Sequence, residues 1–331
     1  MNKKFIKSFE LEDDIIYPSD IPLIKGKIGL GLCCINNGLR NTKNPVFCSR
    51  SCVRRTFTVE RAKQLALQNV QDISKLIEYN IKNKINHLRL SSDMFPHFTD
   101  NETEPYTMDF AKDELRKAGD FAKKHNHRIT MHPGQFNQVG AIKQNVFDHT
   151  VDDLSMHAEI LDNMDVDHNG ILCVHGGGLY GNEKEDQIRR WVDQFDDLPR
   201  NVKNRLAIEN CEKCYSVRDC LEIAQQAKIP MIYDTHHYNC YSILHPNEKQ
   251  EDIQDMMDEI IESWGTKVPL VHISEQDVTK NIGAHSFLVE KIPEHILSIP
   301  IKYNTKIDIE LEAKGKEVAI KHLQNNYSYI F

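Results

Sequence analysis

LAIENCEKCYSVRDCLEIAQQAKIPMIYDTHHYNC, residues 206–240, holds two short apolar runs, 206–208 and 229–233, joined by a segment with apolar residues at helical spacing. A strand–helix–strand unit of this length is a right-handed crossover, so its strands are parallel and end on one edge of a sheet. Each strand runs into ligand chemistry: Glu209-Asn210 after the first, Asp234-Thr235-His236-His237 after the second. The unit predicts carboxylates and imidazoles gathered on a single sheet edge.

Working outward, the chain repeats the arrangement. Eight apolar stretches stand at 27–32, 85–90, 128–131, 170–174, 206–208, 229–233, 268–273 and 306–311. Segments with apolar residues three and four apart separate nearly all of them, as in ERAKQLALQNVQDISKLIEYNIKNK (60–84) and MDFAKDELRKAGDFAKKHN (108–126). Strands alternating with helices in this number predict an α/β fold, a single (β/α)8 TIM barrel over residues 25–331, with residues 1–24 as an arm or strap. An open doubly wound sheet would call for a G-x-G-x-x-G turn after the first strand, and GLGLCCINNG (29–38) supplies none.

Bulk properties set the class. A hydrophobic content of 40% and a charged content of 27% are those of an ordinary soluble globular protein. No apolar run approaches the about 18 residues of a membrane span, and MNKKFIKSFELEDDIIYPSD lacks a signal peptide's apolar core. Nine cysteines, an odd number, favour a reducing compartment. The expectation is an intracellular, non-secreted protein. A net charge of −8 gives no global attraction to nucleic acid, so such a role needs a local basic face.

The strand ends carry the chemistry. They place His132 in MHPGQFNQVG, His175 in CVHGGG, Glu209, Asp234 with His236 and His237, His272 in VHISE and His285 in GAHSF. The last strand, IDIELEAKGK, carries Asp308, Glu310 and Glu312 at a two-residue period, on one face pointing into the barrel. In a barrel these ends converge on one rim. Mixed imidazole and carboxylate ligands suit Mn²⁺, Zn²⁺, Fe or Co and suit Ca²⁺ poorly. Eight or more ligands exceed what one ion takes, which implies a bridged cluster of two or three. A lone His at a strand end is usually structural. Six consecutive strands ending this way are not explained so.

Taken in order, RLSSDMFPHFT, ITMHPGQFNQVG, CVHGGGLYGN, LAIENCEKCY, YDTHHY, VHISE, AHSF and ELEAKGKEVAI resemble the UV damage endonucleases, whose wider barrel group includes endonuclease IV and the xylose isomerases. The match runs from about Gly26 to Ala319; IENCEKCY and HPGQF together are the specific part. The resemblance implies a divalent-metal enzyme, typically Mn²⁺ with Mg²⁺, Co²⁺ or Zn²⁺ as alternatives, that cuts damaged double-stranded DNA. The cut falls immediately 5′ of cyclobutane pyrimidine dimers, 6-4 photoproducts and sometimes abasic sites. It further implies His132, His175, Glu209, Asp234, His237, His272, His285 and Glu312 as metal ligands, with Glu209 bridging and Glu310 competing for the place of Glu312. Glu209, His237 and Lys314 are the catalytic candidates, Lys314 being either a rim cation or a residue that starts a helix. A monomer without protein or membrane partners is expected.

Three positions depart from the family pattern: Leu270 where a Lys is common two residues before the seventh-strand His, Asp100 (or His97) near an expected His, and Leu32 in place of an aromatic. For lesion recognition the resemblance points to Gln135 and Phe136, an apolar wedge of the kind that unstacks bases. A crosslinked dimer is already poorly stacked, so extruding it costs less. The densest basic stretch, Arg50, Arg54, Arg55, Arg61 and Lys63, follows the first strand and could track phosphates, with Asn36, Asn37 and Arg40 as further rim candidates. Cys33, Cys34, Cys48 and Cys52 match no standard zinc or iron–sulfur spacing. Cys211-x-x-Cys214 lacks a thioredoxin-like context, so buried free thiols are expected. The rival readings are an abasic-site endonuclease of the endonuclease IV type, a metal-dependent sugar isomerase or epimerase, and a lesion-binding protein without turnover.

Overall fold

The computed structural model of the chain describes residues 19–331, so the arm expected over residues 1–24 lies mostly outside the described residues. All eight expected stretches form strands: β1 (Ile28–Cys33), β2 (His87–Leu90), β3 (Arg128–Met131), β4 (Leu172–His175), β5 (Leu206–Glu209), β6 (Met231–Asp234), β7 (Leu270–Ile273) and β8 (Ile307–Leu311). They pair in parallel in chain order, and β8 returns to β1 to close the barrel. This is a TIM barrel. Among the described residues no helix is long and apolar enough to cross a membrane.

Alternation along each strand builds two layers. Outward residues such as Leu30, Leu32, Leu88, Leu90, Ile129 and Met131 join the main core with the apolar stripe of the helix Val59–Lys82, which buries Ala66, Val70, Ile73 and Ile77. That helix is started by Thr58, whose side chain accepts from the Arg61 amide at 3.2 Å. Leu32 thus packs outside the barrel wall.

The inward layer divides into two halves. Ile171, Cys173, Ala207, Ile232, Leu270 and Trp264 form a separate apolar cluster, so position 270 contributes hydrocarbon to the barrel interior. The opposite half is polar. Arg128 pairs with Asp308 at 2.9 Å, and Thr130 donates to Glu310 at 2.7 Å, with His87 3.0 Å from the same carboxylate. Glycine makes the room: a Cβ on Gly29 would stand 2.3 Å from Asp308 Oδ1, and one on Gly31 2.8 Å from His87 Nδ1. The second glycine of GLGLCC therefore serves barrel packing.

Candidate metal centre

Strand register brings the ligand-competent residues side by side at the C-terminal ends. His175 pairs with Glu209, Asp234 with His272 and His272 with Glu310. Glu209, fully buried, is the hub, and its two oxygens face different partners. Oε2 lies 3.0 Å from His132 Nε2 and 3.5 Å from His175 Nε2, while Oε1 lies 2.8 Å from His272 Nδ1 and 3.5 Å from His237 Nδ1. Glu312 Oε1 stands 3.8 Å from His272 Nδ1. Ligand atoms of His132, His175 and Glu209 lie within 4.8 Å of one another, as do those of Glu209, Asp234 and His237, and of Asp234, His272 and Glu312. Three overlapping groups sharing Glu209 and Asp234 have the layout of a bridged cluster.

Local structure fixes each donor. The Asp234 side chain caps the helix Thr235–Leu244, accepting from the His237 amide at 2.7 Å through Oδ1, and its Oδ2 is buried without a partner. Asn210 clamps the next strand end, its side chain accepting from the Asp234 amide at 2.8 Å and donating to the Asp234 carbonyl at 3.0 Å. Three rings give their Nδ1 proton to a backbone carbonyl: His132 to Pro133 (3.1 Å), His237 to Asn210 (3.0 Å) and His285 to Glu312. That bond fixes the tautomer and leaves Nε2 as the presented donor. His285 is at the edge of the cluster, 3.8 Å from Glu312 Oε2.

The residues present fit divalent ions. Asp234 Oδ2 and His175 Nδ1 are buried polar atoms lacking partners, in a pocket whose other groups are imidazoles and carboxylates. Burial would raise the Glu209 carboxyl, but the His272 and His175 rings and hydrogen bonds from His132 and His237 hold it well below the usual carboxylate range. Burial pushes His175 down to about 4 despite Glu209, keeping its ring neutral. For His237 the opposite holds: burial lowers it, yet Asp234 and Glu209 carry it well above its ordinary value.

Sequence reasoning missed two participants. Arg89 points inward from β2, its Nη1 3.2 Å from Glu310 and closer still to Glu312. Its two-residue offset from His87 in HLRL was the available signal. The Cys173 thiol donates to Glu209 Oε2 at 3.1 Å. Asn210, expected with Glu209 to supply ligand chemistry, serves instead as the clamp on β6.

Other candidates fall elsewhere. Lys314 is half exposed and pairs with Asp277 at 3.3 Å, so it is not brought to the carboxylates. Asn36 is fully buried and caps the short helix Asn37–Arg40, accepting from Leu39 at 2.8 Å, so it offers no exposed contact. Arg50 folds inward onto Asp72 at 2.6 Å. Arg54 is held by Asp100 at 2.7 Å and by Glu102, and His97 bonds Asp100 at 2.9 Å, so these groups tie the rim loops together away from the donors. Arg40 and Arg55 are exposed. Gln135 and Phe136 occupy an exposed tip after β3, with Phe136 54% exposed. A Cβ on Gly134 would meet the exposed Phe136 ring at 2.5 Å, so a larger residue there would turn that ring. All nine cysteines are free thiols.

A family model described as UV-endonuclease UvdE matches residues 28–330. The chain is 33% identical over 310 residues to a putative UV-damage endonuclease of Acanthamoeba polyphaga mimivirus, covering 91% of each. It is 36% identical over 317 residues to a UV-damage endonuclease of Schizosaccharomyces pombe, covering 90% of this chain and 50% of that one. Among solved structures, SacUVDE superposes with a TM-score of 0.78 at 27% identity, over 90% of this chain and 97% of that one. Endonuclease IV from Thermus thermophilus shares the fold, with a TM-score of 0.55 at 12% identity over 92% and 98%. The family match opens at the first residue of β1 and takes in every strand that delivers a donor to Glu209, so the chain belongs to the UvdE family of UV endonucleases.

Proposed function

We propose that this chain is a Mn²⁺-dependent DNA repair endonuclease that incises the phosphodiester immediately 5′ of UV photoproducts, both cyclobutane dimers and 6-4 photoproducts, with abasic sites as a further substrate. The observation that carries the reading is the convergence of donors from six successive strands, β3 to β8, around Glu209. His132, His175, Glu209, Asp234, His237, His272, His285 and Glu312 would hold two or three divalent ions. Such ions supply a water ionised near neutral pH and positive charge for the phosphate oxygens and leaving group. The two oxygens of Glu209 face different rings, so it could be shared between ions, and the carbonyl-held histidines would offer their Nε2 atoms as ligands. The Gln135-Phe136 tip probes the duplex and wedges beside the lesion. Arg40 and Arg55 contact the backbone. The chain acts as a monomer wherever the cell keeps its DNA.

The test is incision of an end-labelled duplex carrying one cyclobutane thymine dimer, beside undamaged and abasic duplexes, with Mn²⁺, Mg²⁺ or EDTA. A single metal-dependent cut just 5′ of the dimer is expected, and Glu209→Gln should lower its rate by more than about 100-fold, the upper range for loss of a mere outer-shell partner. Cutting of the abasic duplex alone would replace this reading with an abasic-site endonuclease. No cutting at all would turn attention to sugar phosphates.

A further inference from the structure

His272 differs from the other rings of the cluster. His132, His237 and His285 each rest Nδ1 on a backbone carbonyl. His272, fully buried on β7, stands instead among three carboxylates. Its Nδ1 is hydrogen-bonded to Glu209 Oε1 at 2.8 Å and lies 3.8 Å from Glu312 Oε1, and its Nε2 is 3.1 Å from Glu310 Oε2, an ion-pair contact whose angle falls short of a hydrogen bond. Both nitrogens cannot face an ion, because one must carry the proton of a neutral ring.

We infer that Glu310 is the positioning residue of His272: when an ion takes the place of the Nδ1–Glu209 hydrogen bond, Glu310 receives the Nε2 proton and holds Nδ1 toward an ion shared with Glu209, Asp234 and Glu312. The inference rests on the reading of the cluster as a divalent-metal site. It also separates the roles of the two β8 carboxylates, which the two-residue period leaves equivalent.

Both oxygens of Glu310 are already engaged, although it also groups with Cys33 and Glu312 as a ligand-competent set. Oε1 accepts from Thr130 at 2.7 Å and lies 3.0 Å from His87 Nε2. Oε2 faces Arg89 at 3.2 Å, His272 at 3.1 Å and the Cys33 thiol at 3.9 Å. Thr130, Arg89 and Cys33 hydrogen-bond three of its about four acceptor positions, and the His87 and His272 rings crowd what remains. Glu312, one step nearer the mouth, groups with Asp234 and His272 as a possible ligand triad. The Cβ-less wall at Gly31 leaves His87 the space to hold Glu310 from below. A carboxylate behind a metal-bound imidazole fixes the ring and raises its basicity. Here Arg89 and His87 in turn fix the carboxylate.

Two measurements test this. Nitrogen-15 spectra of the imidazoles in Zn²⁺-loaded protein, with His272 assigned by comparison with His272→Asn, should show the proton on Nε2 and the ion on Nδ1; the reverse tautomer overturns the inference. Calorimetric titration with Mn²⁺ should show that Glu310→Gln binds as many ions as the wild type, one of them about 10- to 100-fold more weakly, whereas Glu312→Gln loses an ion. If Glu310→Gln loses an ion, Glu310 is a ligand and the inference fails. It also fails if Glu310→Gln binds as tightly as the wild type, which leaves the metal-site reading intact. A wild-type protein that binds no ion removes both. Should Glu310→Gln not fold, the wild-type tautomer decides alone.

Discussion

A single methyl group at position 31 would stand 2.8 Å from His87 Nδ1, inside a half-barrel already filled by Glu310, Thr130 and Arg89. Gly31→Ala should therefore lower stability by about 1–3 kcal/mol, the usual cost of overpacking, as read from the urea midpoint. A second prediction concerns His127, which is buried outside the cluster with Nε2 3.2 Å from Asn80 Nδ2. Burial pulls this ring from 6.5 down to about 3, so the folded protein keeps it neutral. Above pH 6.5 both folded and unfolded chains hold it neutral and nothing is lost. As pH falls from 6.5 toward 3 the unfolded chain takes up a proton that the folded one refuses, and stability drops by up to about 1.4 kcal/mol per pH unit. His127→Gln should flatten that slope between about pH 6.5 and 4.5. An unchanged slope would mean the ring ionises in place. His295, held down at about 4 by burial, adds in the same direction and persists in the variant.

At the scale of elements, the unit that begins at β5 joins stability to site geometry. Ser216 and Asp219 form a capping box at the start of the helix Val217–Ala227, and the turn before it folds the Cys214 and Tyr215 amides onto Cys211 Sγ at 3.2 and 3.3 Å. Ser216→Ala should cost about 1 kcal/mol of stability while leaving Mn²⁺ affinity within about twofold, since Glu209 is fixed by the strand ladder and Asn210 by β6. The Gln135-Phe136 tip is the converse case. Asn137 anchors it, donating to the Gly134 carbonyl at 3.1 Å and to Asp153 at 2.7 Å, but Phe136 itself projects outward. Phe136→Ala should keep stability and metal binding and lower affinity for a dimer-containing duplex by roughly 5- to 150-fold, a stacking contribution of about 1–3 kcal/mol. The strands were legible because an apolar run bounded by helical periodicity has few alternatives in a parallel sheet. The donors at their ends were legible because a closed barrel brings every strand end to one rim. Asn36, Arg50 and Lys314 were not, because a cap or an ion pair depends on which distant backbone end or carboxylate lies opposite, and spacing does not encode that. Arg89 was hidden for a related reason: within HLRL an inward charge looks like a solvated one until its partners on β8 are known.

Across the whole molecule, six strands share one hub. Glu209, Asp234, Glu310 and Glu312 are carboxylates gathered inside the barrel mouth, and among the described residues Arg89 and the imidazoles lie against them to oppose their charge. Like charges held together in low dielectric repel, so an ion that joins β3 through β8 replaces repulsion with attraction across three quarters of the barrel wall. Since the unfolded chain presents no such array, binding must appear as folding stability, about 2.7 kcal/mol at a free ion concentration of 100 times Kd. Thermal unfolding should therefore shift upward with added Mn²⁺ and return to its starting value with EDTA. Glu209→Gln should reduce the shift, because it removes the ligand common to two of the three groups, whereas Gly31→Ala should unfold at a lower temperature and still respond to Mn²⁺. A wild-type midpoint indifferent to Mn²⁺, Mg²⁺ and Zn²⁺ alike would mean that the imidazoles and Arg89 alone balance the carboxylates, and that the cluster is an internal ion-pair network.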